Sequence, residues 1–245
     1  MVYSKKYISS KGADKMNTSE YKFRTELHAH TNPASPCSNF TPEEVIQRYA
    51  DIGFDSIVIS NHFYPGMRFL DDKEKCLSEY LKDFFQSSEA SKKYGINVIF
   101  GCELRFTENF NDYLLFGIDP DFVDTIYESM PNGLEAFSKK FKSEEHLIIH
   151  AHPYRDGMTE MPAELIDGVE VFNLHPGHNS RIAVAAKYAH KHNLIVTCGT
   201  DFHHENHQGM TALLTKTEMK TSHDIVNVLR SKDYLIEIGG CKVLP

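Results

Sequence analysis

The stretch Glu26-Leu27-His28-Ala29-His30 ends the first apolar-patterned segment of the chain, and the interpretation of the fold starts from it. Successive side chains of a β-strand point to opposite faces, so residues two apart project to the same side. His28 and His30 would therefore direct two imidazoles at one point. The same spacing returns at His150-Ala151-His152 and at Asp201-Phe202-His203, each just after an apolar run. Three such pairs at the ends of three strands predict a shared metal site.

Two more candidate ligands follow other apolar runs, His62 after one and Glu103 after another. Zn, Mn and Fe accept imidazole and carboxylate ligands in mixed sets. A glutamate can bridge two metals, and metals about 3.5–4 Å apart can share a water, lower its pKa and hold both oxygens of a phosphate ester. No Ser-His-Asp pattern, glycine-rich phosphate loop or CxxC pair competes with these residues. The sequence therefore favours metal-activated hydrolysis over covalent catalysis.

Strands and helices alternate along the chain. We expect strands at 23–31, 56–60, 96–100, 113–118, 146–152, 168–174, 194–198 and 234–238, and helices at 41–53, 72–94, 121–129, 133–142, 180–192 and 222–231. The helix at 72–94 is expected to bury Leu77, Leu81, Phe84 and Phe85. About seven strand–helix units predict an α/β fold with a mostly parallel sheet closed into a (β/α)7 barrel of TIM-barrel type. Active sites of such barrels lie at the C-terminal ends of the strands, where every candidate ligand falls.

Length, charge and cysteine usage restrict the class of protein. The 245 residues suit one domain over 22–245, preceded by a mobile extension over 1–21. A net charge of −8 argues against broad nucleic-acid binding, which needs a concentrated basic face. The five scattered cysteines suit reduced thiols in a cytoplasmic protein. The sequence has neither an apolar run of membrane-spanning length nor the apolar segment of a secretory signal at its N-terminus.

The motifs resemble those of one known family. His28-Ala29-His30-Thr31, Thr41-Pro42-Glu43-Glu44 and Ile59-Ser60-Asn61-His62 resemble the opening of the PHP (polymerase and histidinol phosphatase) family. Gly101-Cys102-Glu103, the stretch 150–155 and the stretch 199–203 resemble its later motifs, in the family's order. The resemblance covers roughly residues 23 to 208. It implies a distorted seven-stranded β/α barrel, two or three divalent metal ions, and the phosphoesterase activity of most members.

The resemblance also implies a ligand set. His28, His30, Glu103 and Asp201 would hold one metal, and Glu103 and His152 would contribute to a second. His62 and His203 would belong to a third site or contact the phosphate. His150 shares a strand face with His152 and is a further candidate, either as a ligand or behind the ligands. The metal could be Zn, Mn or Fe, since mixed histidine and carboxylate sites accept all three.

Three positions depart from the family pattern. The family usually supplies an Asp or His ligand in the loop after His30, whereas this chain reads Ser35-Pro36-Cys37-Ser38, so Cys37 is either a substitute ligand or an ordinary loop thiol. The histidine that many members carry after the fourth strand is absent, and Asp119 stands there; we expect it to cap the next helix. Asn61 replaces the usual Asp before His62, which would alter the support of that imidazole.

Arg155 is the expected phosphate clamp, because a guanidinium binds two phosphate oxygens in a fork. Arg105 is the second candidate, and a surface salt bridge is the alternative for both. A metal-activated hydroxide would attack phosphorus, while His62 or His203 protonates or orients the leaving oxygen. We expect the remaining histidines at the rim of the site or on the surface: His146, His175, His178, His190, His192, His204, His207 and His223.

The sequence therefore predicts a metal-dependent phosphoric ester hydrolase, similar to histidinol phosphatases, that acts on a phosphate monoester of a small molecule. One alternative is a nuclease or nucleotide phosphatase of the same family, which the acidic composition disfavours. Another is a metal-binding module without turnover, supported by the missing loop Asp and by Asn61. The leaving group stays open, because loops set the substrate of a barrel enzyme and the fold does not.

Overall fold

The structure, a computed structural model, describes residues 17–245. Most of the predicted N-terminal extension, residues 1–16, therefore lies outside the described residues. The rest of it is an exposed 3-10 turn at Thr18–Glu20 followed by Tyr21. Tyr21 is buried and packs in the same hydrophobic cluster as Ala29 and Tyr49. The folded body thus includes Tyr21.

Strands run through the whole of the described chain. Their bounds are β1 Phe23–Ala29, β2 Ser56–Ile59, β3 His62–Phe63, β4 Asn97–Phe100, β5 Cys102–Arg105, β6 Asp112–Phe116, β7 Leu147–His150, β8 Gly168–Asn173, β9 Ile195–Gly199, β10 Thr211–Thr215, β11 Leu235–Ile238 and β12 Cys241–Val243. Within residues 17–245 they pair into two six-stranded sheets. The order is β12-β11-β10-β1-β2-β4 in one sheet and β3-β5-β6-β7-β8-β9 in the other.

The α/β class is confirmed, but the sheet differs from the expected barrel. No sheet closes on itself among the described residues, and the ten strand pairs divide equally between parallel and antiparallel. The expectation of a mostly parallel sheet was wrong for two reasons: β5 and β6 form a hairpin, and the unpredicted β10 pairs antiparallel with the first half of β1. The last residue of β1 does not pair with β10. Ala29 instead forms a β-bridge with Phe202, which follows β9 of the second sheet.

Six α-helices of the described part of the chain cover the sheets, and several begin or end as predicted. They are α1 Pro42–Asp51, α2 Lys73–Tyr94, α3 Phe122–Ser129, α4 Gly133–Phe141, α5 Ile182–His192 and α6 Ser222–Ser231. Thr41 and Glu44 form the capping box of α1. Asp119 caps the start of α3 as expected, accepting hydrogen bonds from the backbone N–H groups of Asp121 and Phe122. No helix of the described chain is both long and apolar enough to cross a membrane.

The buried face of α2 was predicted correctly in part: Leu77, Leu81 and Phe84 pack against the core, whereas Phe85 does not. Phe85 is 56% exposed, and Leu77, Leu81 and Phe84 are half-buried. The fully buried positions are Cys76, Tyr80, Asp83 and Ser87, which follow helical spacing. Two of these carry polar contacts: the Tyr80 hydroxyl donates to the carbonyl of Asn61, and Asp83 accepts from Thr31. Tyr80 and Asp83 on the buried face of α2 therefore hold the loops beside the strand ends that carry the candidate ligands.

Candidate metal centre

Four buried side chains meet where the ends of β1, β5 and β9 come together. His28 and His30 lie at the end of β1, Glu103 lies on β5, and Asp201 follows β9; each is at most 1% exposed. Both Nε2 atoms of the histidines lie 3.3–3.4 Å from Glu103 Oε2 and 3.3–3.5 Å from Asp201 Oδ1. The four atoms thus surround one point at similar separations.

These four atoms fit a metal ion. His28 Nε2, His30 Nε2, Glu103 Oε2 and Asp201 Oδ1 are all buried, and none makes a hydrogen bond of acceptable geometry within residues 17–245, although His62 Nδ1 lies 2.6 Å from Glu103 Oε2. A buried polar atom without a partner costs about 1–3 kcal/mol. One divalent cation would satisfy all four atoms at once, with the donor types that Zn, Mn and Fe accept.

The hydrogen bonds behind the ligands fix which imidazole nitrogen faces inward. His28 Nδ1 lies 2.9 Å from Glu170 Oε1, His30 Nδ1 lies 3.2 Å from the Ser35 hydroxyl, and His203 Nδ1 lies 2.8 Å from the carbonyl oxygen of Asp201. In the neutral tautomer that satisfies these acceptors, Nδ1 carries the proton. The lone pairs of His28 Nε2 and His30 Nε2 are then directed at Glu103 and Asp201, as metal ligation requires, whereas His203 Nε2 faces Cys37 Sγ.

A second group shares Glu103 with the first. Glu103 Oε1 lies 3.0 Å from His152 Nε2, which lies 3.8 Å from Asp112 Oδ2. These three residues bring their ligand atoms within 4.8 Å of one another, and all three are buried. Because the two oxygens of Glu103 face different groups, this carboxylate is placed to bridge two metal positions.

Asp112 was missed by the sequence analysis. It follows the polar stretch Asn109–Asn111 at the start of β6, where an aspartate reads as a turn residue. Its place in the centre depends on the register of the β5–β6 hairpin, which sets Asp112 opposite Arg105, two residues beyond Glu103.

A third group lies on the solvent side of His30. The rings of His30, His62 and His203 form a triangle: the His30 centroid is 4.3 Å from each of the other two, which are 5.6 Å apart. His62 Nδ1 is also 2.6 Å from Glu103 Oε2. Cys37, the candidate substitute ligand, places its Sγ 3.1 Å from His203 Nε2. Burial raises the pKa of this thiol, but hydrogen bonds with His203 and His62 outweigh it and lower the pKa to about 6.

The electrostatics of the cluster suit ionised carboxylates. Burial alone would raise the pKa of Glu103 and Asp201, but the neighbouring histidines, His28 among them, hold the pKa of both carboxyls well below the usual range. Burial, with His62 and His203 nearby, lowers the pKa of His30 well below its ordinary value, so this ring is neutral. Ionised carboxylates bind metal directly, whereas the same carboxylates raise the pKa of His28, His62, His152 and His203, so a metal must displace protons from those rings.

Two of these residues have unusual backbone conformations. His152 has φ +29° and Asp201 has φ +51°, the left-handed region that non-glycine residues rarely adopt. Such conformations cost of the order of 1–3 kcal/mol and cluster at functional sites. The turn at His152 also separates it from His150, which is outside the three groups found among the described residues and stacks on Tyr113 at 5.2 Å. Burial lowers the pKa of His150 to about 3.

Glu170 and His178 support the centre, and the sequence analysis did not assign either role. Glu170 is fully buried on β8; its Oε1 faces His28, and its Oε2 accepts from the backbone N–H of His152 at 3.0 Å. A carboxylate inside the apolar run Gly168–Asn173 was the available signal. His178, expected at the rim or surface, has Nδ1 3.2 Å from Asp201 Oδ2.

The two candidate phosphate clamps differ in their surroundings. Arg105 forms a two-pronged ion pair with Asp112, through Nε and Nη2 at 2.7 Å each. Arg155 is half-buried, with Nη1 3.3 Å from His178 Nε2. Asn61 contacts the loop after His30 by accepting from the Thr31 backbone N–H at 2.7 Å and from the Ser35 hydroxyl at 2.9 Å.

The family model of the PHP domain matches residues 26–239, which contain all of the residues described above. The chain belongs to the PHP domain family. This PHP chain shares its fold with several solved structures, and the comparison with curated proteins finds no similar sequence.

Three of these structures show how far the fold is shared. A two-domain protein from Bacteroides vulgatus, which contains a "predicted PHP-like metal-dependent phosphoesterase", has a TM-score of 0.59 at 16% identity, over 89% of this chain and 66% of its own. PsfC from Pseudomonas syringae has a TM-score of 0.59 at 12% identity, over 83% and 87%. A candidate metal-dependent phosphoesterase from Bifidobacterium adolescentis has a TM-score of 0.50 at 17% identity, over 74% and 87%.

Proposed function

We propose that this PHP chain is a metal-dependent phosphoesterase that hydrolyses a phosphate monoester of a small molecule. The observation that carries the proposal is the set of four buried ligand atoms on His28, His30, Glu103 and Asp201, beside a second group that shares Glu103. Family membership and the metal-dependent phosphoesterase named in the Bacteroides vulgatus structure support the same chemistry.

The ligand set is assigned from the geometry. His28, His30, Glu103 and Asp201 would hold the first metal, and Glu103, Asp112 and His152 the second. When bound, divalent ions such as Zn, Mn or Fe supply Lewis acidity toward water and toward the phosphoryl group. Glu170, behind His28 and His152, keeps the His28 imidazole and the His152 backbone in place.

The remaining residues are assigned to the substrate. The side chain of His62 is 19% exposed and its Nδ1 faces Glu103, so its Nε2 is available to hold or deliver a proton at the leaving oxygen. His203 is the alternative for this role. Arg155 would grip the phosphate through its guanidinium. Arg105 is already paired with Asp112, and we assign it the positioning of that carboxylate.

Metal content and hydrolysis, measured together on protein without a histidine tag, test the proposal. We expect two or three metals per chain by elemental analysis and hydrolysis of an aryl phosphate. Asp201→Ala should lose metal and turnover, whereas the exposed His190→Ala should keep both. A panel of sugar phosphates, amino-alcohol phosphates, nucleotides and short oligonucleotides identifies the substrate class. Fully loaded protein that cleaves none of them contradicts the proposal, and cleavage of oligonucleotides alone would favour a nuclease.

A further inference from the structure

Cys37 lies on the solvent side of the third histidine group, in the loop between β1 and α1. It is exposed, but its Sγ is turned inward, 3.1 Å from His203 Nε2. The loop backbone is fixed on both sides of the thiol: the N–H of Ser38 donates to the carbonyl of Ser35, and the N–H of Asn39 donates to the carbonyl of His203, each at 2.9 Å. The position of Cys37 relative to His203 is therefore set by the loop.

The third group has too few ligands of its own to hold a metal. His30 Nε2 has one lone pair, because its Nδ1 faces the Ser35 hydroxyl, and that lone pair already faces Glu103 and Asp201 of the first group. A metal on the solvent side would therefore have two imidazoles to itself, those of His62 and His203. A third protein ligand is needed to match the three that catalytic zinc sites use beside an open position.

We propose that Cys37 supplies that ligand as a thiolate, which gives an outer His62–His203–Cys37 site that takes zinc in preference to manganese. The inference deepens the proposed function, since it shares the metal centre, and it replaces one part of it: while His62 and His203 ligate this metal, neither is free to deliver a proton. The inference itself does not depend on turnover. Thiolate is a soft ligand that selects zinc, whereas the carboxylate-rich first and second groups suit manganese and iron as well. When the metal binds, the sulfur–hydrogen bond is replaced by a sulfur–metal bond and the proton leaves to solvent.

The geometry needs little adjustment. Zinc bonds of about 2.3 Å to sulfur and 2.0–2.1 Å to nitrogen place the two atoms roughly 3.6 Å apart in a tetrahedral site. Cys37 Sγ and His203 Nε2 are 3.1 Å apart, and the exposed side chain of Cys37 can rotate to open this distance. The His62 ring is 5.6 Å from the His203 ring, centroid to centroid, so the sulfur lies beside the pair of imidazoles.

Cobalt replacement tests the ligand directly. Cobalt(II) bound to thiolate shows a near-ultraviolet charge-transfer band that oxygen and nitrogen ligands do not give. We expect this band in cobalt-loaded wild type, its loss in Cys37→Ser, and its retention in Cys241→Ser, which changes the other exposed cysteine. A fully cobalt-loaded wild type without the band, or a band that persists in Cys37→Ser, would overturn the inference.

Alkylation of the wild-type protein tests it without any substitution. Iodoacetamide should modify Cys37 and Cys241 in metal-free protein, and zinc should abolish modification at Cys37 while leaving Cys241 reactive. Equal modification of Cys37 with and without zinc contradicts the inference. The outcomes separate the two proposals: a charge-transfer band in an inactive protein keeps the thiolate site and removes the phosphoesterase, and an active protein without the band does the reverse.

Discussion

Glu170 supports two candidate metal ligands, His28 and His152, from behind. It does not itself contact the metal position. One of its oxygens faces His28 Nδ1 and the other accepts from the backbone N–H of His152. Glu170→Gln replaces one of these acceptors with an N–H donor, which would turn the His28 ring or free the His152 backbone. Loss of such support typically weakens metal binding about 10–100-fold. Competition with a chelating dye measures this, and Glu164→Gln, an exposed glutamate, is the control. An unchanged metal affinity would show that Glu170 does not support the metal ligands.

Arg155 and Arg105 should respond differently to truncation. Arg155→Ala should raise KM for the phosphate ester and leave metal content unchanged, because the guanidinium is assigned to the substrate. A charged hydrogen bond contributes about 1.5–3 kcal/mol, so the increase should be of the order of 10–100-fold. Steady-state kinetics at saturating metal measures it. An unchanged KM would return Arg155 to the status of a surface residue.

Arg105→Ala should act on the metal content instead. It removes both hydrogen bonds to Asp112 and leaves that buried carboxylate without its counter-ion. We expect Asp112 to shift and the second position to lose occupancy, which elemental analysis reads as a lower metal content per chain. If metal content stays at the wild-type value while KM rises, Arg105 contacts the substrate after all.

Side chains with a local pattern could be identified from the sequence, and side chains placed by pairing could not. The spacing at His28 and His30 marks a pair of ligands because both stand on one strand. Asp112 enters the centre only through the register of two antiparallel strands. His178 reaches Asp201 from the loop after β8, where sequence spacing carries no direction.

Asp83 shows how α2 supports the loop that carries Cys37. Its Oδ2 accepts from the Thr31 hydroxyl at 2.8 Å and the Ala34 backbone N–H at 3.0 Å, and its Oδ1 has no partner among the described residues. Asp83→Ala removes the acceptor for both groups and should cost about 1–3 kcal/mol of unfolding free energy. Urea denaturation measures this. Ser88→Ala, a half-buried position on the same helix, is the control.

Asp83→Asn tests how the ionisation of Asp83 makes the unfolding free energy depend on pH. Burial raises the pKa of Asp83 above its ordinary value of 3.8. The folded protein therefore binds this proton more tightly than the unfolded chain, so the stability that the group contributes is present below 3.8 and is lost as pH rises through the raised pKa. Asparagine keeps an oxygen for both hydrogen bonds and does not ionise. The unfolding free energy of the variant, relative to wild type, should rise with pH across this range; a flat difference would contradict the assignment.

The elements that the sequence failed to predict depend on contacts distant in the chain. The inward face of α2 packs on apolar residues such as Phe63 and Phe100, but it also carries Asp83, which accepts hydrogen bonds from the loop after His30. Amphipathic spacing selected Phe85, which the fold leaves exposed. Strand β10 was missed because its partner is β1, far away in sequence. Elements defined by their own pattern, such as α1 with its capping box, were predicted correctly.

The metal centre lies on the seam between the two sheets. His28 and His30 come from the sheet that contains β1, whereas Glu103, Asp112 and His152 come from the sheet that contains β5, β6 and β7. Backbone hydrogen bonds cross this seam at Phe202, whose N–H donates to the carbonyl of His28 and whose carbonyl accepts from the N–H of His30. A parallel barrel could not be distinguished from this arrangement by alternation alone, because reversed strands such as β6 and β10 have the same apolar pattern.

Metal binding should therefore stabilise the whole molecule. A ligand that binds the folded state alone contributes about 2.7 kcal/mol at a concentration of 100 Kd. For a chain of this size each kcal/mol shifts Tm by about 2–4 °C, so adding zinc or manganese to chelator-treated protein should raise Tm by roughly 5–11 °C. Differential scanning calorimetry measures the shift. Asp201→Ala removes one ligand from the first position and should lose most of it, whereas His190→Ala should keep it. If wild type has the same Tm with chelator and with metal, the cluster does not join the sheets through a bound ion.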